Sequence, residues 1–306
     1  MIRTPTQNLP LTQPFRWLGS KSRMRKNLYE IFKEIPRLMY IEPFGGSGAV
    51  FFGKDAEPSV YNDRERLLAN FMRELRCKKS RDDMTFLAKF TPQCREFYEE
   101  FKSLCKAYSA GDDVTEQVKT LKLNDYPIET AVAFAFFYVQ NFTFGGKPLD
   151  AYGMTQVLAV SSYHFLPESY IANAIKFDRF AEKLRLTNVE NKDWREIFTL
   201  YDGADNLFYC DPPYESETSK RYTGSWTSDD TKELVERLMN LKASFVLSCY
   251  DGELYAPLDA ICEKRYFDVH TTVSRQAEAR QARRECVYVK NNAKGQTLFS
   301  HLKDES

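Results

Sequence analysis

No apolar stretch in this 306-residue chain approaches the length of a membrane-spanning helix, and no apolar signal region opens it. Its seven cysteines are odd in number and never stand in CxxC spacing, which argues against a disulfide framework or a zinc cluster. Net charge is missing as well: 43 basic residues balance 43 acidic ones. That balance lowers the expectation of a nucleic-acid partner, because such domains are often strongly basic. There is no GxGxxG dinucleotide fingerprint, which excludes a dehydrogenase, and no Walker lysine-serine pair. Internal repeats and low-complexity segments are absent too. The expectation is a chain of a reducing cytoplasm, with no membrane partner and no metal.

Hydrophobic residues make up 43% of the chain and aromatics 14%, ample for a buried core. The length suits one large domain, or a catalytic domain carrying a smaller inserted one. Charge is neutral in sum but uneven along the chain. Arg16, Lys21, Arg23, Arg25 and Lys26 form a group with no acid among them; Arg73, Arg76, Lys78, Lys79 and Arg81 form a second. Arg275, Arg280, Arg283 and Arg284 form a third. Solvated helix faces account for isolated groups of this kind, whereas groups converging on one cleft neutralise phosphates.

The most informative stretch is Asp211-Pro212-Pro213-Tyr214, after the strand-like run Asn206-Leu-Phe-Tyr-Cys210. It sets a carboxylate, a rigid carbonyl and an aromatic ring at the carboxyl end of a strand. An amino group conjugated to a heterocycle is a poor nucleophile, because its lone pair is delocalised. Two acceptors pulling on its hydrogens, Asp211 and the Pro212 carbonyl, favour a pyramidal nitrogen with an available lone pair. Proline fixes φ, so that carbonyl is held in advance. Tyr214 supplies a face on which an extruded base can stack. The competing reading is a Pro-rich turn leaving a strand.

Upstream, Leu38-Met-Tyr-Ile41 is a short apolar run followed by Glu42-Pro43-Phe44-Gly45-Gly46-Ser47-Gly48, with a helix start expected at Ala49-Val-Phe-Phe52. Strand, glycine turn and helix start are the order of a nucleotide-type site, the glycines letting the backbone approach a ligand. Asp63 ends the next strand, where a carboxylate commonly accepts from ribose hydroxyls. Asp193-Trp194 follows Leu186-Thr-Asn-Val189, a carboxylate and an aromatic able to hold an adenine. Either aspartate could instead cap the helix that follows it. Near the start, Trp17 and Lys21 flank a glycine, a spacing equally open to a hydrophobic staple.

Helices are expected over Arg23–Glu34, Arg64–Arg76, Ile128–Val139, Ser228–Leu241 and Glu253–Lys264, with Thr227 or Ser228 capping the fourth. Strands are expected over Ala243–Cys249, Tyr266–Val273 and Cys286–Lys290, the last two as a closing pair. Strands alternating with helices indicate a mostly parallel sheet. Residues 78–183 break that rhythm and read as mainly helical.

In order, the chain reads Trp-x-Gly-x-Lys, Glu-Pro-Phe-Gly-Gly-Ser-Gly, Asn-Asp, Asp-Trp and Asp-Pro-Pro-Tyr. That series, from Phe15 to Lys290, resembles the Dam-type, alpha-group DNA adenine-N6 methyltransferases. The resemblance implies an α/β fold: a Rossmann-like class I methyltransferase sheet with an inserted, mainly helical target-recognition domain. The catalytic domain would be 1–77 and 184–306, and the insert 78–183, with a hairpin loop at about 140–165. It implies S-adenosylmethionine as cofactor, held by Trp17, Lys21, Glu42, Phe44, Gly45, Gly46, Gly48, Asp63, Asp193, Trp194 and Asp211. Asp211, Pro212 and Tyr214 would be catalytic. Arg16, Gln140, Asn141, Phe142, Phe144 and Lys147 would meet double-stranded DNA, Phe142 or Phe144 filling the gap left by a flipped base. A plain β-hairpin with two core aromatics is the alternative.

The implied activity is methyl transfer to the adenine amine in DNA by a monomer, in a bacterial or phage-infected cell. A partner nuclease is left open. Alternatives carried alongside are amino-methylation of cytosine or of RNA, and a catalytically silent DNA-sensing module of a defence system. The family's common Asp-Ile-Asn after the second strand is replaced here by Tyr61-Asn-Asp63.

Overall fold

The computed structural model describes residues 11–17, 19–143, 166–213, 226–269 and 283–292. Seven strands are β1 (Met39–Glu42), β2 (Ser59–Asn62), β3 (Thr187–Glu190), β4 (Asn206–Cys210), β5 (Ser244–Tyr250), β6 (Glu263–Val269) and β7 (Arg283–Lys290). They form one sheet in the order β3-β2-β1-β4-β5-β7-β6. β1 pairs in parallel with β2 and β4, and β4 with β5, while β7 runs antiparallel to both β5 and β6. The mixed order and the reversed seventh strand bear out the expected Rossmann-like methyltransferase sheet. Among the described residues, no helix is long and apolar enough to cross a membrane.

The chain divides into two compact units. The sheet unit comprises Lys21–Gly45, Glu57–Asn62 and Lys192–Ser306. Its central strands are buried along most of their length because both faces are covered. Successive side chains alternate faces. Tyr40 and Tyr209 meet Phe32 of α1 (Arg25–Lys33), each at 5.4 Å between ring centres. Ile41 and Phe208 join the opposite layer, with Phe198 of α9 (Trp194–Tyr201) 4.9 Å from Phe208. Leu234 and Leu238 of α10 (Ser228–Asn240) complete that layer. Thr227 caps α10 in a reciprocal box with Asp230, as its sequence position predicts.

Two expected helices are shorter than their patterns suggest. Glu253–Lys264 forms a 3-10 segment, Glu253–Ala260, and the chain is already in β6 by Glu263. Pro257 inside the segment offers no N–H for a helical ladder, and β6 finds its bonds on β7 instead. At Ala49–Phe52 only a 3-10 turn, Phe51–Gly53, is made. Phe51 and Phe52 are both buried there and Gly53 ends the run.

The helical unit comprises Met1–Ser20, Gly46–Ala56 and Asp63–Asn191. Its limits run past 78 and 183 on both sides and take in α2 (Arg66–Arg76) and β3. Also present are α3 (Lys78–Phe90), α4 (Arg95–Ala110), α5 (Thr115–Thr120), α6 (Ile128–Phe142), α7 (Leu166–Ala174) and α8 (Phe177–Leu184). α6 is buried on every side from Thr130 to Phe142, as a helix apolar all round must be. It packs against α2, α3 and α4. Phe15 anchors the amino-terminal segment here, 5.2 Å from both Phe71 and Phe136.

Candidate active site

In the sheet unit, Met39, Tyr40 and Ile41 lie beside Asn206, Leu207 and Phe208, so β1 and β4 end next to each other. The loop that leaves β1 is shaped by close approach. Gly45 donates its N–H to the Asn62 carbonyl at 2.7 Å. A Cβ on Gly45 would fall 2.3 Å from the buried Tyr61 ring, so only glycine fits. Asn62 is fully buried and acts as a clamp, with Nδ2 donating to the carbonyls of Pro43 and Lys192. Its Oδ1 accepts from the Lys192 N–H. Glu42, 2% exposed, accepts from the Tyr40 hydroxyl at 2.5 Å. Phe44 is half-buried, its ring 5.6 Å from Trp226 and 6.0 Å from Trp194.

Charge, rather than close approach, organises the loop after β4. Lys21 is buried, and its ammonium lies 3.1 Å from Asp211 Oδ1 and 3.6 Å from Glu285 Oε1. Burial alone would lower the Lys21 pKa, but Asp211 and Glu285 overcome it and hold the ammonium above its ordinary value. Pro212 is buried and Pro213 half-buried. Cys210, just before, is a core thiol pushed up by burial and by the charge of Asp211.

Asp193 serves as the cap of α9, accepting from the Arg195 N–H at 3.0 Å. Arg195 also binds Asp230 and Glu233, and its guanidinium lies 4.5 Å from the Trp194 ring centre. Trp194 itself is 5% exposed and packs on Phe198. The cap reading of Asp193 is realised, and the Trp194 ring is largely enclosed within its own layer.

The helical unit holds Trp17, Gly46, Gly48 and Asp63. Asp63 Oδ2 accepts from the Gly46 N–H and Oδ1 from the Glu65 N–H, both at 2.8 Å. Glu65, not Asp63, caps α2. Burial pushes the Asp63 carboxyl up to about 6, although both N–H groups and their bonds pull it down. Gly46 has φ of 51° and Gly48 of 70°, the left-handed region where glycine is favoured. A Cβ on Gly46 would lie 3.4 Å from Trp17 Nε1. Gln13 Oε1 accepts from both Ser47 and Ser20, tying the segment before Trp17 to the glycine loop.

Three DNA-contact expectations require correction. Gln140, Asn141 and Phe142 are not in a hairpin loop but in the last turn of α6, and all three are buried. Asn141 donates to the Phe137 carbonyl and accepts from Asn173, while Phe142 packs on Tyr138 and Tyr170. Their side chains belong to the unit's core, so they offer no surface to a duplex. Arg16 is exposed. Tyr214, Phe144 and Lys147 lie outside the described residues. Gln13, Asn62 and Glu285 escaped the sequence reading; Asn62, next to Asp63 at a strand end, was the only one with a local signal.

A parallel sheet with a reversed strand β7, glycines after β1 and a lysine-bound aspartate after β4 define a Rossmann-like methyltransferase. The family model for D12 class N6 adenine-specific DNA methyltransferases matches residues 17–271, and the chain belongs to that family. It is similar to the type II methyltransferase M.CviBI of Paramecium bursaria Chlorella virus NC1A, 23% identical over 268 residues, covering 84% of this chain and 92% of the relative. A DNA adenine methylase of Vibrio cholerae serotype O1 is 24% identical over 226 residues, covering 72% of this chain and 73% of the relative. Membership sets adenine in DNA as the methylated base, so the cytosine and RNA alternatives fall away.

Proposed function

We propose that the chain transfers the methyl group of S-adenosylmethionine to the exocyclic amine of an adenine flipped from duplex DNA, with Asp211 and Pro212 acting on that amine. The observation that carries the reading is Asp211 fixed on a buried lysine at the end of β4, beside the end of β1. Family members use S-adenosylmethionine generally, and the residues present suit it. Glycines stand where a Cβ would strike Tyr61 or crowd Trp17. Asp63, held open-armed by two backbone N–H groups, would accept from ribose hydroxyls. Phe44, Gly45, Gly46 and Gly48 would follow the methionine moiety, and Trp17 and Glu42 would line it. Asp193 would face the adenine of the donor, with Trp194 backing Phe44. When bound, the cofactor supplies an electrophilic methyl on a sulfonium.

The chain's own residues do the rest. Asp211 and the Pro212 carbonyl accept from the two amine hydrogens and localise the nitrogen lone pair. Tyr214 stacks on the extruded base. Transfer would be direct, the N–C bond forming as the S–C bond breaks and the thioether leaves. The surplus amine proton would pass to solvent, and positioning provides much of the acceleration. Arg16, Phe144 and Lys147 remain the candidates for DNA contact. The protein acts as a monomer.

The test is transfer of tritiated methyl from S-adenosylmethionine to duplex DNA, with digested nucleosides identified by mass spectrometry. N6-methyldeoxyadenosine is expected, and Asp211→Ala should abolish it while still binding S-adenosylmethionine. Near-normal turnover in that variant overturns the assignment.

A further inference from the structure

Phe44 follows β1, and Trp226 stands between β4 and α10. β1 and β4 run parallel, so both residues lie in connections that leave one edge of the sheet, the edge at which open α/β sheets take their ligands. The backbone on either side of Phe44 is clamped by Asn62, which accepts from the Gly45 N–H and donates to the Pro43 carbonyl. The Phe44 ring is half-buried and rests on two indoles. Trp226 meets it nearly perpendicular, at 5.6 Å and 82°, and Trp194 meets it tilted, at 6.0 Å and 39°. The indoles also meet each other, 5.9 Å apart.

Trp226 is itself anchored. Its Nε1–H donates to Thr231 Oγ1 at 2.8 Å, in the first turn of α10, and the next residue, Thr227, is locked in the reciprocal cap with Asp230. Arg195 binds that same Asp230 and lies 4.5 Å from the Trp194 ring centre, so both indoles are tied to the start of α10. A half-buried ring without fixed neighbours samples several rotamers, and a ligand laid along it bears the cost of ordering it. We propose that Trp226 is a positioning residue for the methyl donor: it holds the Phe44 ring in the orientation that lies along the methionine moiety, so that this wall is ordered before S-adenosylmethionine arrives. This rests on the function proposed above. Phe44 touches the donor in this scheme, and Trp226 acts through Phe44.

Calorimetry with S-adenosylmethionine, in the absence of DNA, reads donor affinity apart from turnover. Trp226→Leu should weaken it about fivefold, the worth of one lost aromatic pair. Trp226→Phe, which restores a ring without the indole N–H, should bind within about twofold of wild type. In a Phe44→Leu background Trp226→Leu should cost nothing further, because the residue through which it acts is gone. Turnover of Trp226→Leu at saturating donor should stay within about twofold, so that the loss falls on KM rather than kcat.

Wild-type affinity in Trp226→Leu overturns the proposal, as does equal loss in both backgrounds or a phenylalanine variant no better than the leucine one. A lower melting temperature with donor affinity intact would assign the indole to packing alone and overturn it as well. A wild-type chain that binds no S-adenosylmethionine would instead sink the functional reading itself. Donor binding that is the same in wild type and Trp226→Leu would remove only the role of Trp226.

Discussion

Asp63 and Asp211 are both aspartates at the end of a strand, and the protein fixes them by opposite means. Asp63 is held by backbone, each oxygen taking one N–H, and no cation pairs with it in those bonds. Asp211 is held by a buried ammonium that a second carboxylate shares. The first arrangement leaves a carboxyl pushed up to about 6, whose acceptor strength depends on pH. The second keeps a carboxylate beside a permanent positive charge. In the proposed scheme Asp63, accepting from hydroxyls, tolerates the first, and Asp211, polarising an amine, needs the second.

The largest effect should come from breaking the ammonium. Lys21→Met takes a buried ammonium away from Asp211 and Glu285, a loss of about 3–5 kcal/mol in stability if the fold does not relax. Thermal melting with turnover on duplex DNA measures both, and turnover should fall about a hundredfold or more. The backbone device breaks next. Gly45→Ala drives a Cβ into Tyr61, and overpacking of this kind costs about 1–3 kcal/mol. Melting temperature should drop and S-adenosylmethionine binding weaken together, because the packed loop is also the one proposed to hold the donor.

Titration sharpens the contrast. Between pH 7 and pH 5, affinity for S-adenosylmethionine should weaken about tenfold as the Asp63 carboxyl takes up its proton, and calorimetry at several pH values would show it. Asp63→Asn should flatten that dependence. Stability runs the other way. The folded carboxyl is raised above its unfolded value, so protonation favours the fold in acid, and that gain is lost as pH rises through about 6. The smallest effect belongs to Gly46→Ala, where a φ of 51° costs an alanine about 1 kcal/mol, read as a small fall in melting temperature.

The two loops were legible in the sequence because their demands are local. Gly45, Gly46 and Gly48 mark backbone that tolerates no side chain, and Asp211-Pro212-Pro213 follows an apolar strand directly. What holds those loops was not legible. Glu285 lies far along the chain from Lys21, and nothing around it distinguishes a buried partner from a strand-surface glutamate. Asn62 was read only as the neighbour of Asp63, although it is the residue that ties three backbone groups. The end of α6 misled for a different reason. Gln140 and Asn141 look like surface residues, yet Asn141 finds Phe137 and Asn173 inside the helical unit, and the helix carries on to Phe142. Glu253–Lys264 had helical composition, but the β7 ladder claimed its end.

β6 is the last strand of the sheet among the described residues, and its rim is guarded by ions. Arg265 is forked onto Glu34 and Glu263, and Lys264 reaches Asp251 and Asp259. An incoming chain seeking to extend the ladder would have to strip those groups of water and of one another. Variants that replace this fringe with apolar residues should therefore clump in solution well before they stop methylating.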